Sequence, residues 1–143
     1  MNATAEAVMN QGKVRVLLAD DHAILREGLA MLIGGEEDME VIAQAENGRE
    51  AVRLACDEKP DVAVLDVSMP LMDGLETARR LRDRDATSGV RIMLLTARVT
   101  DADRERGRAA GVDDQLDKPF SPAVLAERVR ALCEDGPNRE HER

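Results

Sequence analysis

The chain has 143 residues, 43% hydrophobic and 34% charged, which suits one soluble domain with a proper core. Its net charge of −9 argues against binding DNA or an anionic membrane through this domain, because phosphate backbones are met by basic patches. No apolar run reaches the roughly 18 residues a bilayer-spanning helix needs, and the polar start MNATAEAVMNQGK lacks a signal-peptide core, so a cytoplasmic location is expected.

Residues 1–12 read as a flexible leader. Val14 to Ala19 (VRVLLA) is a short apolar run, rich in β-branched residues, that ends in Asp20-Asp21; it predicts a strand. Asp21 or His22 then opens a helix whose inner face is Leu25, Leu29, Leu32 and Ile33, stopped by Gly34-Gly35. Met39 to Ala45 predicts a second strand. Asn47 with Glu50 has capping-box spacing, and Ala51, Leu54 and Ala55 face inward on a helix that ends before Pro60.

Val62 to Asp66 (VAVLD) is a buried strand that ends in a carboxylate. The loop after it carries the turn residues Pro70 and Gly74. Leu75, Ala78 and Leu81 mark a third helix, with Arg79, Arg80 and Arg82 on its outer face. Val90 to Leu95 is a fourth strand ending at Thr96. Thr100 caps a fourth helix, DADRERGRAA, the weakest of the set because it lacks large apolar residues and contains Gly107. Residues 112–117 form a short fifth strand ending at Lys118. Ser121 and Pro122 start a last helix with Leu125, Val129, Leu132 and Cys133 inside. These elements make one domain over 13–134, with a polar tail over 135–143. Cys56 and Cys133 are far apart and read as reduced, partly buried thiols; the near absence of aromatics makes the core aliphatic.

Alternating strands and helices with short links predict an α/β fold: a (βα)5 doubly wound parallel five-stranded sheet, for which 2-1-3-4-5 is one of the common strand orders. In a parallel sheet all strands finish at one edge. That edge would gather Asp20, Asp21, Asp66, Thr96 and Lys118. Carboxylates so close repel, and one would hold a proton unless a cation relieved them. Hard oxygen ligands with room for a phosphoryl oxygen describe a Mg2+ site, with Asp21 and Asp66 as direct ligands and Asp20 holding a metal-bound water. Asp66, central among the strands, is the best candidate nucleophile for phosphorus. Lys118 and the Thr96 hydroxyl are then placed to meet the charge on the transferred group.

The segments LLADDH, VLDVSMPLMDG, MLLTA and DKPF, in this order and spacing, closely resemble the receiver domain of two-component response regulators. The resemblance implies a flavodoxin-like fold and phosphoryl transfer from a histidine kinase or phosphotransfer protein to Asp66. It implies Thr96 as switch hydroxyl, Lys118 as phosphate partner and the Ser68 backbone carbonyl as a further Mg2+ ligand. It also implies a cis Lys118–Pro119 bond and a switch through the fourth helix, fifth strand and fifth helix, in a signalling protein rather than an enzyme. Gln115 departs from the pattern, standing where the family usually has Tyr or Phe, so the outward signal is expected to be muted or rerouted. Ser68 and Arg98 occupy positions that tune phosphate lifetime in the family. Asp114 and Arg128 match a salt bridge on a dimer face, whereas Val124 stands where an acid is usual; a homodimer is thus allowed but not required. No output segment follows the last helix, so the expected target is a downstream protein or a missing output domain. Two other readings are a Mg2+-dependent phosphohydrolase, disfavoured by Ser68 where such enzymes carry an acid, and an interaction module that has lost phosphorylation.

Overall fold

In the computed structural model, residues 12–97 and 100–134 are described; the leader (Gly12 apart), the tail, with His141, and Arg98 lie outside them. Five strands and five helices alternate: β1 Val14–Ala19, α1 Ala23–Gly34, β2 Met39–Ala45, α2 Gly48–Glu58, β3 Val62–Asp66, α3 Gly74–Asp83, β4 Arg91–Thr96, α4 Asp101–Ala110, β5 Asp114–Asp117 and α5 Pro122–Glu134. The strands form one parallel sheet in the order β2-β1-β3-β4-β5.

Strand alternation divides the core between the two faces of the sheet. Leu17, Ala63, Leu65, Ile92 and Leu94 pack on one side with Ala51 and Ala55 of α2 and Ala78 and Leu81 of α3. Val16, Leu18, Val64, Met93 and Leu95 pack on the other with Leu29 and Ile33 of α1 and Leu125 and Val129 of α5. β3 is buried along its whole length, as its unbroken apolar run requires of a strand covered on both faces. Both cysteines are free and half-buried; burial pushes the Cys133 thiol up to about 11, which keeps it protonated and unreactive at neutral pH.

Local sequence explains most element ends. The Asn47 and Asp73 side chains accept the Glu50 and Glu76 backbone N–H groups at 2.8 and 2.9 Å. The Asn47–Glu50 box is only half made: the Glu50 carboxylate takes the N–H of Glu46 instead of returning to Asn47. Ser121 caps α5 as expected, accepting the Val124 N–H at 3.1 Å.

Several expectations are corrected. The inner face of α1 is Arg26, Leu29 and Ile33; Leu25 and Leu32 sit at its margin and are 39% and 47% exposed. β4 starts at Arg91 instead of Val90, and β5 at Asp114 instead of residue 112. Most consequentially, Arg82 is not on the outer face of α3. Its guanidinium donates to the carbonyls of Gly111 and Ser88, each at 3.0 Å, and of Val90, and to the Asp113 carboxylate at 2.8 Å. The same Asp113 oxygen accepts the Ile92 N–H. Gly111, in the left-handed region at φ 91°, leaves room for the Arg82 stem, which an added Cβ would meet at 2.6 Å. One arginine thus ties α3 to both ends of the α4–β5 corner, whereas Arg79 and Arg80 make only exposed pairs with Glu76.

Replacing Arg82 by Met should therefore destabilise the fold by about 2–4 kcal/mol, because three carbonyls and a carboxylate lose their donor. Arg79→Ala should change stability by less than about 0.5 kcal/mol, as an exposed pair does. Urea unfolding of the two variants checks the contrast.

Candidate phosphoryl-acceptor site

The acids reach the sheet edge by strand geometry. β1 and β3 are neighbours, with Ala19 registered on Leu65, so the residues that follow, Asp20 and Asp66, finish side by side. Both are nearly inaccessible, at 2% and 1% exposure. Asp21, one residue further, is exposed. Ligating atoms of Asp20, Asp21, His22 and Asp66 all lie within 4.8 Å of one another.

Each buried acid has one oxygen engaged and one left over. Asp20 Oδ1 accepts the His22 backbone N–H at 2.8 Å, and the His22 Nδ1 lies 3.3 Å from it and 3.2 Å from Asp21. Asp66 Oδ1 is 3.0 Å from Lys118 Nζ and 3.4 Å from the Ser68 N–H. Asp20 Oδ2 and Asp66 Oδ2 are buried with no hydrogen-bond partner among the described residues. Burial raises the Asp20 carboxyl above its usual range, and the Asp66 charge pushes the same way; the His22 backbone bond and Lys118 only partly oppose it.

Two orphaned, buried carboxylate oxygens beside an exposed third carboxylate form an oxygen-only donor set that fits a hard divalent cation such as Mg2+. His22, expected to be only a helix-start residue, is the N-cap of α1 and also joins the acidic group.

Lys118 is delivered by β5 and the turn after it. Its backbone N–H donates to the Thr96 carbonyl at 2.8 Å, and the Lys118–Pro119 peptide is cis, as the resemblance implied. Thr96 closes β4, is buried and is registered on Asp117 of β5. Ser68 is exposed in the loop after β3. That loop is pinned where Gly74 meets it: an added Cβ there would lie 2.7 Å from the Asp66 carbonyl and 2.7 Å from Leu94, so only glycine lets α3 start so close under the acid.

Gln115 lies away from the acids, under α4. Its Nε2 donates to the Asp103 and Arg104 carbonyls at 3.3 and 3.4 Å, while its Oε1 is buried with no partner among the described residues. A Cβ on Gly107 would collide with this amide. The glycine that weakens α4 in isolation thus makes space for the side chain beneath it. A reciprocal capping box between Thr100 and Asp103 supports the same helix. Arg128 donates to both Asp114 oxygens at 2.9 Å, so the pair matched from the dimer-face pattern closes within the chain.

Sequence reasoning missed Arg26. It is 9% exposed, donates to the Asp20 carbonyl at 2.6 Å and to the Gln44 Oε1 at 3.2 Å. An arginine at an inward position of the α1 periodicity, one turn after an acid pair, was the available signal.

A family model described as response regulator receiver domain matches residues 16–130. The transcriptional regulatory protein ResD of Bacillus subtilis is 39% identical over 120 residues, covering 84% of this chain and 48% of that protein. The response regulator MprA of Mycolicibacterium vanbaalenii is 42% identical over 119 residues, covering 83% and 50%. The chain spans about half the length of these relatives. Among solved structures, a LuxR-family two-component response regulator from Aurantimonas sp. matches with a TM-score of 0.81 and 32% identity, covering 86% of each chain. The response regulator domain of Thermotoga maritima CheB matches with a TM-score of 0.78 and 28% identity, covering 85% of this chain and 97% of that one.

The raised Asp20 pKa has a stability consequence. A carboxyl whose folded pKa lies above the unfolded 3.8 favours folding when protonated, and that contribution is lost as pH rises through the folded value. At neutral pH the ionised Asp20 carboxyl therefore costs the metal-free protein stability. Asp20→Asn, which keeps an acceptor for the His22 N–H, should raise the metal-free melting temperature at pH 7 by roughly 3 °C, the equivalent of about 1 kcal/mol in a domain of this size. The gain should shrink as pH is lowered towards 3.8, as thermal melts across pH would show.

Proposed function

The chain belongs to the response regulator receiver domain family of two-component systems, and from that premise we propose that it is a phospho-accepting switch whose acceptor is Asp66. The observation that carries this reading is the Asp66 carboxylate itself: buried at a strand end, 3.0 Å from an ammonium, with one oxygen unpartnered beside two further acids.

In the proposed step an Asp66 carboxylate oxygen attacks the phosphorus of a donor phosphohistidine. The new O–P bond forms as the P–N bond breaks, and the electron pair leaves on the donor imidazole. Lys118 neutralises one oxygen of the transferring group, and the Thr96 hydroxyl, at the end of the adjacent strand, donates to another. Asp21, Asp66 and the Ser68 carbonyl would hold Mg2+, with Asp20 acting through water. When bound, the ion neutralises charge on the carboxylates and on the transferred oxygens. Without an acid to hydrolyse the aspartyl phosphate efficiently, the domain acts as a signalling element, not a turnover enzyme. Ser68, where an aspartyl phosphohydrolase would carry an acid, supports the same reading. The reading implies a histidine kinase or phosphotransfer protein as donor, a protein or output domain downstream, and a cytoplasmic setting.

The signal is proposed to leave through α4, β5 and α5 by a route that does not use an aromatic rotamer. Gln115 ties β5 to the Asp103 and Arg104 carbonyls, so movement of Thr96, passed to the paired strand β5, reaches α4 through this amide.

Incubation with a phosphohistidine donor and Mg2+ should label the wild type, and Asp66→Asn should abolish the label; persistent labelling at another residue would sink the assignment. The Gln115 route makes a separate claim. Gly107→Ala alone should gain little, since the helix-propensity gain of about 1 kcal/mol is offset by displacing the amide. In a Gln115→Ala background the same change should stabilise by about 1 kcal/mol. Additive effects across that cycle in chemical denaturation would show that the two side chains do not act together.

A further inference from the structure

The Asp20–Asp21 turn is held by hydrogen bonds from several elements. The Asp20 N–H donates to the Ala45 carbonyl at 3.0 Å, and Asp20 Oδ1 accepts the His22 N–H. The carbonyl of the Asp20–Asp21 peptide is taken by Arg26 Nη1 at 2.6 Å. This guanidinium is 9% exposed, and Arg26 is the only basic residue among the buried polar and charged side chains of the described residues. Among the described residues no carboxylate pairs with it; its Nε donates to the Gln44 side-chain oxygen on β2. Burying an unpaired arginine is costly unless its hydrogen bonds do something no apolar side chain could.

We infer that Arg26 is a positioning residue for the acidic pair. By holding the Asp20 carbonyl from α1, it fixes the plane of the peptide joining Asp20 to Asp21, and so fixes where the exposed Asp21 carboxylate stands relative to the buried Asp20 and Asp66. Gln44, reaching from the neighbouring strand, holds the guanidinium in that pose. The fork geometry matters: one guanidinium spans a carbonyl and an amide oxygen on separate elements, which a single ammonium does less well. The inference rests on the proposed Mg2+ site, and its consequence is that the cation affinity of the site depends on a residue that is not a ligand.

The test is Mg2+ binding alone, without phosphodonor, followed by amide chemical shifts because the chain has no tryptophan to report it. Arg26→Met, similar in length and apolar, should weaken Mg2+ binding about tenfold. Arg26→Lys should recover part of that loss, since a lysine can still reach the Asp20 carbonyl. A merely structural arginine would lower the melting temperature of Arg26→Met while the folded protein kept wild-type affinity, and that result overturns the inference. If Arg26→Met does not fold, Gln44→Met decides: weakened binding with an intact fold supports the inference, and unchanged binding overturns it. Failure of the wild type to bind Mg2+ overturns the proposed function together with this inference, whereas wild-type binding with unaltered variants overturns this inference alone.

Discussion

The structure turns on placing carboxylates where water barely reaches them. Asp20 and Asp66 end adjacent parallel strands, and each is all but sealed by the sheet and its helices. A buried, ionised carboxylate costs several kcal/mol unless it is paired, and these two also repel each other. The fold offsets part of this with a nearby lysine ammonium and with backbone N–H groups from Ser68 and His22. It leaves one oxygen of each acid without a partner. A core selected only for stability would have replaced such groups by apolar ones. Their position at the switch point of a doubly wound sheet, where this architecture binds ligands, makes the edge a candidate site.

The rest of the architecture follows from holding that edge still. Alternation sends the apolar residues of β1, β3 and β4 to both faces, so each strand is clamped between helix layers. The loop after β3 cannot wander, because Gly74 allows α3 to begin in contact with the Asp66 carbonyl. Arg82 anchors the corner leading into β5, the strand that presents Lys118. These devices are polar and directional. They fix geometry to a degree that hydrophobic burial, which is non-directional, cannot.

Much of this was legible in the sequence, and the reason is physical. β1, β2 and β3 are read with their observed ends because apolar runs, acids and turn residues mark strand boundaries sharply. The convergence of Asp20, Asp66 and Lys118 follows from parallel topology alone once the strands are placed. What periodicity could not reveal were side chains whose partners lie far along the chain. Arg82 reads as one more surface arginine until Asp113, 31 residues on, folds back against it. Arg26 falls on the inward stripe of α1, where a charge looks like an error in the pattern until the Asp20 carbonyl explains it. Leu25 and Leu32 were placed too far inward because helical spacing identifies a stripe but not how much of its width the sheet covers.

α4 carries the same logic away from the site. Its only buried residues are Gly107 and Ala110, so hydrophobic burial contributes little to holding it. It is held by a capping box at Thr100, by the left-handed turn at Gly111 that packs on Arg82, and by the Gln115 amide beneath its first turns. Each such bond contributes only about 1 kcal/mol net. An element secured by a few weak, directional contacts has a low local opening energy, so a modest change at its ends is enough to shift it. Thr96 and Lys118 lie just outside those ends, one before the loop that leads into α4 and one after the strand that leaves it. A change at either end therefore acts on the least securely packed helix of the fold, the one beneath which the Gln115 amide lies.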